Sequence, residues 1–385
     1  MSTNARLFEY IDVNPKEILT KGTLAKKISM DKLQPFCRDI PEYELAEYTG
    51  GTKFRNGDTI MARITPCLEN GKTAMVNILD ENEVGFGSTE YIVFRAKKEL
   101  TIPDFVYYLV RSSFVRELAI KSMVGSSGRQ RVQTNVVENL EIDFPSLTEQ
   151  TQIASVLKSL DDKIALNNKI NNNLEQQAKA LYKDWFFDFS PFSTEGNLPD
   201  SWHLGTVGDI IQLHDSKRVP LSGSERDKME KIYPYYGATS LMDYVDNYLF
   251  DGIYLLLGED GTVVDSLGFP ILQYVYGQFW VNNHAHIITG KEGFSVEELY
   301  LFFSLTNIKS IVTGAVQQKV SQQNLKKVPA IIPSKEALSA FDDLIQPIFA
   351  QIRNLRDENA HLADLRDTLL PRLMSGKLDV SDTEI

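Results

Sequence analysis

The sequence predicts a mixed α/β (α+β) protein in which two similar globular domains are joined by two long antiparallel coiled-coil helices. The first observation is a seam over residues 148–187, where apolar and asparagine side chains recur at alternating spacings of three and four. The second is the return of this seam 188 residues later, over residues 336–376, in the same register. The seam positions are Ile153, Leu157, Leu160, Ile164, Asn167, Asn171, Leu174, Ala178, Leu181 and Trp185 in the first copy, and Phe341, Ile345, Ile348, Ile352, Leu355, Asn359, Leu362, Arg366, Leu369 and Leu373 in the second.

The repeat begins before each helix, which predicts a pseudo-two-fold internal repeat of the whole chain. At the same offset, Arg131, Val132 and Pro145 return as Lys319, Val320 and Pro333. The predicted boundaries are 1–147 for the first domain, 148–187 for its helix, 188–202 for a linker, 203–335 for the second domain, 336–376 for its helix and 377–385 for an acidic tail.

The two helices are expected to pair and to form a rigid spacer. The stretch from Ile153 to Trp185 is roughly 48 Å long at 1.5 Å per residue. Its middle, residues 167–173, is rich in asparagine and is poor helix material by propensity. A partner helix that supplies hydrogen bonds would offset this and fix the register, and the second copy carries Asn359 at the position that matches Asn171.

Length and composition favour a two-domain protein that works inside the cell. The chain has 385 residues, 43% of them hydrophobic, so each half can bury its own core. Cys37 and Cys67 form no metal-like or disulfide-like pattern, and no apolar run reaches membrane-spanning length. A cytoplasmic location is therefore expected. The net charge of −12 is a weak argument against a polyanionic partner, because phosphate contacts depend on local clusters of Lys and Arg.

The domains read as alternating strand and helix signals followed by a glycine-rich loop. In the first domain, strands are predicted at 59–64 and 90–94, with a helix from Pro103 to about Ser122. In the second, strands are predicted at 248–257 and 285–289, with a helix at 296–312.

Three patterns suggest catalysis or metal binding, and each has a simpler interpretation. Asn70-Gly71-Lys72-Thr73 resembles the end of a phosphate-binding loop, but position 66 is Pro66 instead of the required glycine, which favours a turn between strands. Asp200, Asp215 and Lys217 fit the loose spacing of metal-dependent nucleases, although Asp200 lies in the predicted linker. His284 and His286 share one face of a strand, but no nearby Cys, Asp or Glu completes a zinc site.

Several further stretches together resemble a type I restriction-modification specificity subunit over nearly the whole length. They are Asn56-Gly57-Asp58, Arg63-Ile64-Thr65-Pro66, Glu69-Asn70-Gly71-Lys72, Ser88-Thr89-Glu90-Tyr91, Gly125 to Val132, Tyr235-Tyr236-Gly237-Ala238, Gly258-Glu259-Asp260-Gly261, Asn282 to His286, Gln317 to Val320 and Leu369 to Gly376. The resemblance implies two target-recognition domains, each reading one half of a split DNA sequence. It also implies a non-catalytic chain that brings two adenine-specific methyltransferase subunits to double-stranded DNA. Restriction subunits can join the complex of this chain with the methyltransferase subunits. S-adenosylmethionine, ATP and Mg²⁺ would then belong to the partner subunits, and no cofactor, metal or membrane is expected for this chain.

We expect the loops at Gly125 to Thr134 and Gly314 to Gln322 to face the DNA duplex. Arginine and lysine bind phosphates or guanine, and glutamine can pair with adenine. The alternative for each loop is a merely solvated basic turn, and the alternative for the tyrosines is core packing. The candidate DNA-binding residues are Arg129, Gln130, Arg131, Gln133, Thr134, Gln317, Gln318, Lys319 and Ser321, with Lys53, Arg63, Lys72, His284, His286, Tyr235 and Tyr236 as further candidates.

The sequence leaves two other functions open. The chain could be an autonomous two-lobed adaptor that binds DNA or protein without a methyltransferase partner. The nuclease interpretation depends on Asp200, Asp215 and Lys217, and it predicts magnesium-dependent cleavage by the purified chain.

Overall fold

The computed structural model describes residues 3–193, 195–314 and 317–378, which form two compact units. Unit 1 comprises the chain up to Lys169 together with the chain from Arg356 onward, and unit 2 comprises Ile170–Leu355. Two helices of 40 residues, Leu147–Phe186 and Lys335–Met374, each contribute one half to each unit. The predicted fold class of two α/β units and two long helices is confirmed. From residue 379 onward, the predicted acidic tail lies outside the described residues.

Unit 1 places two four-stranded sheets beside a helical layer. One sheet has the strand order β2-β9-β6-β7, the other has the order β4-β3-β8-β5, and β1 pairs with β10. The elements in chain order are β1 (Thr3–Arg6), α1 (Leu7–Tyr10), β2 (Ile11–Val13), β3 (Leu24–Ile28), β4 (Glu44–Glu47), β5 (Thr52–Phe54), β6 (Thr59–Ala62), β7 (Thr73–Met75), β8 (Gly85–Gly87), β9 (Tyr91–Ala96), α2 (Pro103–Arg111), α3 (Ser113–Lys121), α4 (Thr134–Glu138), β10 (Glu141–Phe144) and α5 (Leu147–Phe186).

Unit 2 is organised around one six-stranded sheet. Its strand order is β12-β18-β15-β17-β13-β14, with the smaller pairs β11-β20 and β16-β19 beside it. The elements in chain order are β11 (His203–Thr206), α6 (Val207–Ile210), β12 (Ile211–Leu213), α7 (Gly223–Arg226), β13 (Tyr233–Tyr236), β14 (Leu241–Val245), β15 (Phe250–Gly258), β16 (Asp260–Gly261), β17 (Leu272–Val281), β18 (Ala285–Gly290), α8 (Val296–Leu305), β19 (Gln318–Lys319), α9 (Gln322–Leu325), β20 (Pro329–Ile332) and α10 (Lys335–Met374).

The predicted strands are found, but two predicted helices are shorter than expected. The helix predicted from Pro103 to Ser122 is broken at Ser112, whose hydroxyl accepts a hydrogen bond from Val115 N and starts a second helix. The helix predicted over 296–312 ends at Leu305. In both cases a polar side chain that bonds to the backbone competes with the continuous helix that the apolar pattern suggests: Ser112 caps the new helix, and the Thr306 hydroxyl bonds to Phe302 O.

The two units share part of their strand arrangement, which is the structural counterpart of the sequence repeat. The neighbours β2-β9-β6 of unit 1 correspond to β12-β18-β15 of unit 2, all antiparallel. In each unit a further antiparallel pair, β1-β10 or β11-β20, leads directly into a long helix. Ser146 and Ser334, which are related by the repeat offset, accept hydrogen bonds from the backbone of the first turns of α5 and α10.

In unit 1 the first half of α5 runs antiparallel to the second half of α10. Asp161 contacts Arg366, and Asn167 donates to the side chains of Glu358 and Asn359 at 2.8 and 2.9 Å. The second copy therefore supplies the expected asparagine partner, since Asn359 pairs with Asn167 and Asn168. The paired asparagines are not equivalent positions of the repeat, because the two helices run antiparallel.

In unit 2 the second half of α5 packs against the first half of α10 through aromatic side chains. Phe341 is fully buried and lies 4.8 to 5.6 Å, centroid to centroid, from Tyr182, Trp185 and Phe186. Burying such a ring contributes roughly 1.5–3 kcal/mol. The segment predicted as a linker takes part, since Trp202 is buried against Phe186. In the described chain no helix is both long and apolar enough to cross a bilayer.

Candidate nucleic-acid interface

A β-hairpin closes the glycine-rich loop of unit 1, and we call residues 124–132 hairpin 1. Val124 and Arg131 exchange two backbone hydrogen bonds of 2.9 and 3.0 Å, and Arg131 also bridges to Ile64. The loop turns at Gly125, whose φ is +136°. A Cβ atom there would lie 2.9 Å from Arg129 O, so the loop requires glycine at this position.

A matching hairpin closes the basic loop of unit 2, and we call residues 313–320 hairpin 2. Thr313 and Lys319 exchange backbone hydrogen bonds of 2.8 and 2.9 Å, and Lys319 pairs with Asp260. The loop turns at Gly314, with φ +85°, where a Cβ atom would lie only 2.1 Å from Gln317 O. Residues 315 and 316 of this loop lie outside the described residues.

The two hairpins attach to their sheets through the same backbone hydrogen bonds. Val132 N donates to Arg63 O, and Val320 N donates to Glu259 O, both at 2.8 Å. The next strand continues the ladder, because Arg63 N bonds to Glu90 O at 2.9 Å and Glu259 N bonds to His284 O at 2.8 Å. The equivalent positions are therefore Val132 and Val320, Arg63 and Glu259, and Glu90 and His284. One backbone scaffold thus carries different charged side chains in the two units.

Hairpin 1 presents arginine side chains, one of them held by a carboxylate. Arg131 binds Glu90 through Nε at 3.0 Å and a terminal nitrogen at 2.7 Å, and Arg63 Nε binds the same carboxylate at 3.2 Å. The hydrogen bond from Arg131 is the largest influence that lowers the pKa of Glu90 below its ordinary value. Arg129, at the loop tip, is exposed and has no ion-pair partner among the described residues. A free and a pre-positioned guanidinium therefore lie on one hairpin.

Hairpin 2 presents a lysine, and His284, just before β18, lies in the neighbouring strand segment with two carboxylates nearby. The Glu259 carboxylate forms ion pairs with the Arg218 guanidinium at 2.6 Å and with Lys319 Nζ at 3.5 Å. His284 Nδ1 lies 2.7 Å from Asp260 Oδ1. About half of the Lys319 and His284 side chains is exposed, so both can reach a ligand at the surface.

The structure divides the remaining candidate residues into surface groups and structural groups. Gln317 is exposed, and Gln130 and Gln318 are half-buried on the hairpins. Gln133 directly precedes α4, which begins at Thr134, while Ser321 caps α9. Among the further candidates, the side chains of Lys53 and Lys72 are directed to backbone carbonyl oxygens, those of Glu17 at 2.6 Å and Met30 at 2.8 Å respectively.

Burial corrects two of the candidate DNA contacts. His286 has no exposed surface, and Tyr235 is 1% exposed with its hydroxyl hydrogen-bonded to the backbone of Leu221. Neither side chain can reach a DNA duplex, since each points to the interior face of its strand. Tyr236 is half-buried with its ring edge on Phe279, so core packing, the alternative for these tyrosines, accounts for both.

A buried cluster around His286 contains the carboxylates that sequence spacing failed to locate. Ligand atoms of Asp215, Glu259 and His286 lie within 4.8 Å of one another. Both ring nitrogens of His286 are already hydrogen-bonded, to Asp215 at 2.6 Å and to Val320 O at 2.8 Å, and Arg218 lies on both carboxylates. A cation in this position competes with a metal ion, so the cluster fits a salt-bridged network better than a zinc site.

The two other chemical interpretations find no support in the geometry. Asp200 is exposed, and it joins no group of three potential metal ligands within the described ranges. Asp215 is hydrogen-bonded to His286. Asn70 to Thr73 form a turn that leads into β7, as the missing glycine indicated.

Comparison with known proteins matches the chain to one family twice. The family described as type I restriction modification DNA specificity domain matches residues 10–176 and 199–360. The type I restriction enzyme MjaIX specificity subunit of Methanocaldococcus jannaschii is 26% identical, covering 74% of this chain and 71% of that protein. The HindI specificity subunit of Haemophilus influenzae is 24% identical, covering 84% of this chain and 87% of that protein.

A solved structure supports the fold over the full length. The crystal structure of a type I restriction-modification S subunit from M. genitalium superposes with a TM-score of 0.53 at 17% identity, covering 97% of this chain and 96% of that one. Each family match begins near the first strand of a sheet and ends inside a long helix, so one family domain corresponds to one half of the repeat. The chain belongs to the type I restriction-modification DNA specificity family, with two tandem copies of its domain.

Proposed function

We propose that this chain is the DNA-recognition subunit of a type I restriction-modification complex and that each unit reads one half of a bipartite target. The observation that carries the proposal is the duplicated hairpin. Each copy is fixed to its sheet by the same backbone hydrogen bonds and turns at a glycine with positive φ. Each exposes basic and amide side chains of the kinds that bind phosphates and base edges.

Carboxylate pairing does not disqualify Arg131 and Lys319 as DNA ligands. Glu90 holds Arg131 in one orientation, which lowers the entropy lost when the guanidinium meets a base or phosphate. The same carboxylate weakens nonspecific attraction to the phosphate backbone, which depends on net positive charge. A chain with a net charge of −12 would then rely on fitted contacts more than on bulk electrostatics.

The chemistry would be supplied by partner subunits. We propose that two adenine-specific methyltransferase subunits assemble with this chain and bring S-adenosylmethionine, and that restriction subunits bring ATP and Mg²⁺. The role of this chain would be to position those subunits on double-stranded DNA. Residues of its own would bind and orient DNA without touching the reacting atoms.

The test is genome-wide mapping of methylated adenines after co-expression of this chain with the methyltransferase encoded beside it. The expected result is a two-part motif with a fixed unspecified gap. Methylation that is independent of this chain would overturn the proposal and leave an autonomous binding module. Magnesium-dependent cleavage by the purified chain would instead revive the nuclease interpretation.

A matched pair of variants tests the hairpin assignment separately. Glu90 precedes β9 and Lys98 follows it on the other side, and Lys98 and Arg129 are both exposed. Arg129→Ala should weaken DNA binding and reduce the salt slope by about one charge, while Lys98→Ala should change neither. Equal effects of the two substitutions would show that hairpin 1 has no special role.

A further inference from the structure

The buried cluster beside hairpin 2 lies between the sheet and the segment that leaves the hairpin. Asp215 Oδ1 accepts a hydrogen bond from Ile287 N at 2.9 Å, which ties this residue to strand β18. Its other oxygen accepts from His286 Nδ1 at 2.6 Å and from the side chain of Gln322 at 2.5 Å. Gln322 is the first residue of α9 and lies three positions after Lys319. Asp215 therefore fastens the exit of hairpin 2 to the sheet.

His286 completes this attachment from the opposite side of its ring. Its Nε2 lies 2.8 Å from Val320 O, the residue next to Lys319. A carbonyl oxygen can only accept, so Nε2 donates to Val320 O, while Nδ1 faces the carboxylate of Asp215. Burial favours a raised pKa for Asp215, yet its hydrogen bonds to His286, Ile287 and Gln322 lower the pKa below the ordinary value. Asp215 and His286 therefore form a hydrogen-bonded pair in which the histidine has no exposed surface.

Unit 1 has no aspartate–histidine pair at the two equivalent positions. Ile92 occupies the position of His286, because Ile92 pairs with Met61 as His286 pairs with Leu257. Asn14 Oδ1 accepts from Val93 N at 3.0 Å, the role that Asp215 has at Ile287 N. An apolar side chain and an amide thus replace the Asp215–His286 pair, which makes unit 1 an internal control for unit 2.

We propose that Asp215 and His286 are positioning residues that hold hairpin 2 against its sheet and thereby set the specificity of the second half-site alone. This inference rests on the proposed function. The pair does not touch DNA, since His286 is fully buried and Asp215 nearly so. It acts through the backbone of Val320 and the side chain of Gln322, which fix where Lys319 and Gln318 are presented.

The experiment maps methylated adenines for co-expressed complexes that carry His286→Leu, Asp215→Ala or Asp215→Asn. Removing a hydrogen bond to a charged group should reduce discrimination at one half-site roughly ten-fold to a hundred-fold and leave the other half-site unchanged. The affected half-site should be the one that alanine substitution of Gln317, Gln318 and Lys319 also changes. Asp215→Asn should retain discrimination, because its amide oxygen can accept from Ile287 N, its NH2 group can donate to His286 Nδ1, and the Gln322 amide can turn to accept the second N–H.

Two further variants keep the proposal open to refutation where His286→Leu fails to fold. Gln322 is exposed, so Gln322→Ala removes only its hydrogen bond to Asp215. This variant should reduce discrimination at the same half-site. Glu297→Ala disrupts another buried network of unit 2, with Tyr274 and Arg353, and should lower the melting temperature without altering the motif. Relaxation of both half-sites, an unaltered motif in every folded variant, or relaxation by Glu297→Ala would each overturn the inference. A native complex without a two-part motif would refute the proposed function instead.

Discussion

Glu298 should give the stability of unit 2 an unusual pH dependence. Its side chain has no exposed surface at the start of α8, and burial raises the pKa from the ordinary 4.5 to about 8. One carboxyl oxygen accepts from Ser295 N at 2.8 Å, and the other has no hydrogen-bond partner in the described structure. Between pH 4.5 and about 8 the folded state therefore holds one proton more than the unfolded chain. The free energy of unfolding should fall by about 1.4 kcal/mol for each pH unit across that window.

Glu298→Gln should remove this slope, because an amide stays neutral and can still accept from Ser295 N. Native and variant proteins should have similar stability near pH 5, and the variant should be more stable by several kcal/mol above pH 8. Tryptophan fluorescence during urea unfolding measures this selectively, since all three tryptophans, Trp185, Trp202 and Trp280, lie in unit 2. An unchanged slope in the variant would refute the assignment.

Glu225→Gln is the matched control. Glu225 has the same place in a capping box, with Ser222, but is exposed, and its hydrogen bonds with Ser222 lower its pKa. A lowered pKa stabilises the folded state above the unfolded pKa, and this contribution is lost as pH falls through the folded value. Glu225→Gln should therefore leave the slope between pH 5 and 8 intact.

Three other substitutions test the helix pair and the two hairpins. Arg366→Met should lower the free energy of unfolding of unit 1 by about 3–5 kcal/mol, because it leaves Asp161 buried without its cation. Urea unfolding monitored by circular dichroism measures this loss. Adding Asp161→Leu to the same chain should restore much of it. Glu90→Gln releases two arginines, so DNA affinity by fluorescence anisotropy should rise and the salt slope should steepen by about one; no change would mean that these arginines do not meet DNA. Gly314→Ala forces a Cβ atom against Gln317 O and should relax one half of the methylation motif, whereas retention of the full motif would show that the loop tolerates a different path.

The long helices could be predicted from the sequence because their signal is repeated over many turns. The seam predicted helices at 148–187 and 336–376, and the structure has them at Leu147–Phe186 and Lys335–Met374. All predicted seam positions are buried or half-buried. The two loops could be predicted for a similar reason, since the repeat offset alone aligns Arg131 with Lys319.

The electrostatic contacts could not be predicted, because they join residues that are distant in sequence. Asp215 and His286 are 71 positions apart, and nothing in their local sequence indicates a pair. The prediction of Tyr235 as a DNA contact was wrong for a different reason. In the strand Tyr233–Tyr236 neighbouring tyrosines point to opposite faces, and only the register of the finished sheet decides which one is buried.

The equivalence of the two hairpins bears on how one architecture can read two unlike half-sites. Backbone hydrogen bonds and a glycine turn fix each hairpin, so the side chains at the positions of Arg63 and Glu90 are free to vary without loss of the ladder. At those positions unit 2 has Glu259 and His284, which reverses the sign of one charge. Because base edges are distinguished by donors and acceptors, such an exchange changes which bases are accepted while the scaffold stays the same. The conserved element is then the geometry of presentation, and the half-site follows from a few charged side chains and from the groups that hold them in place.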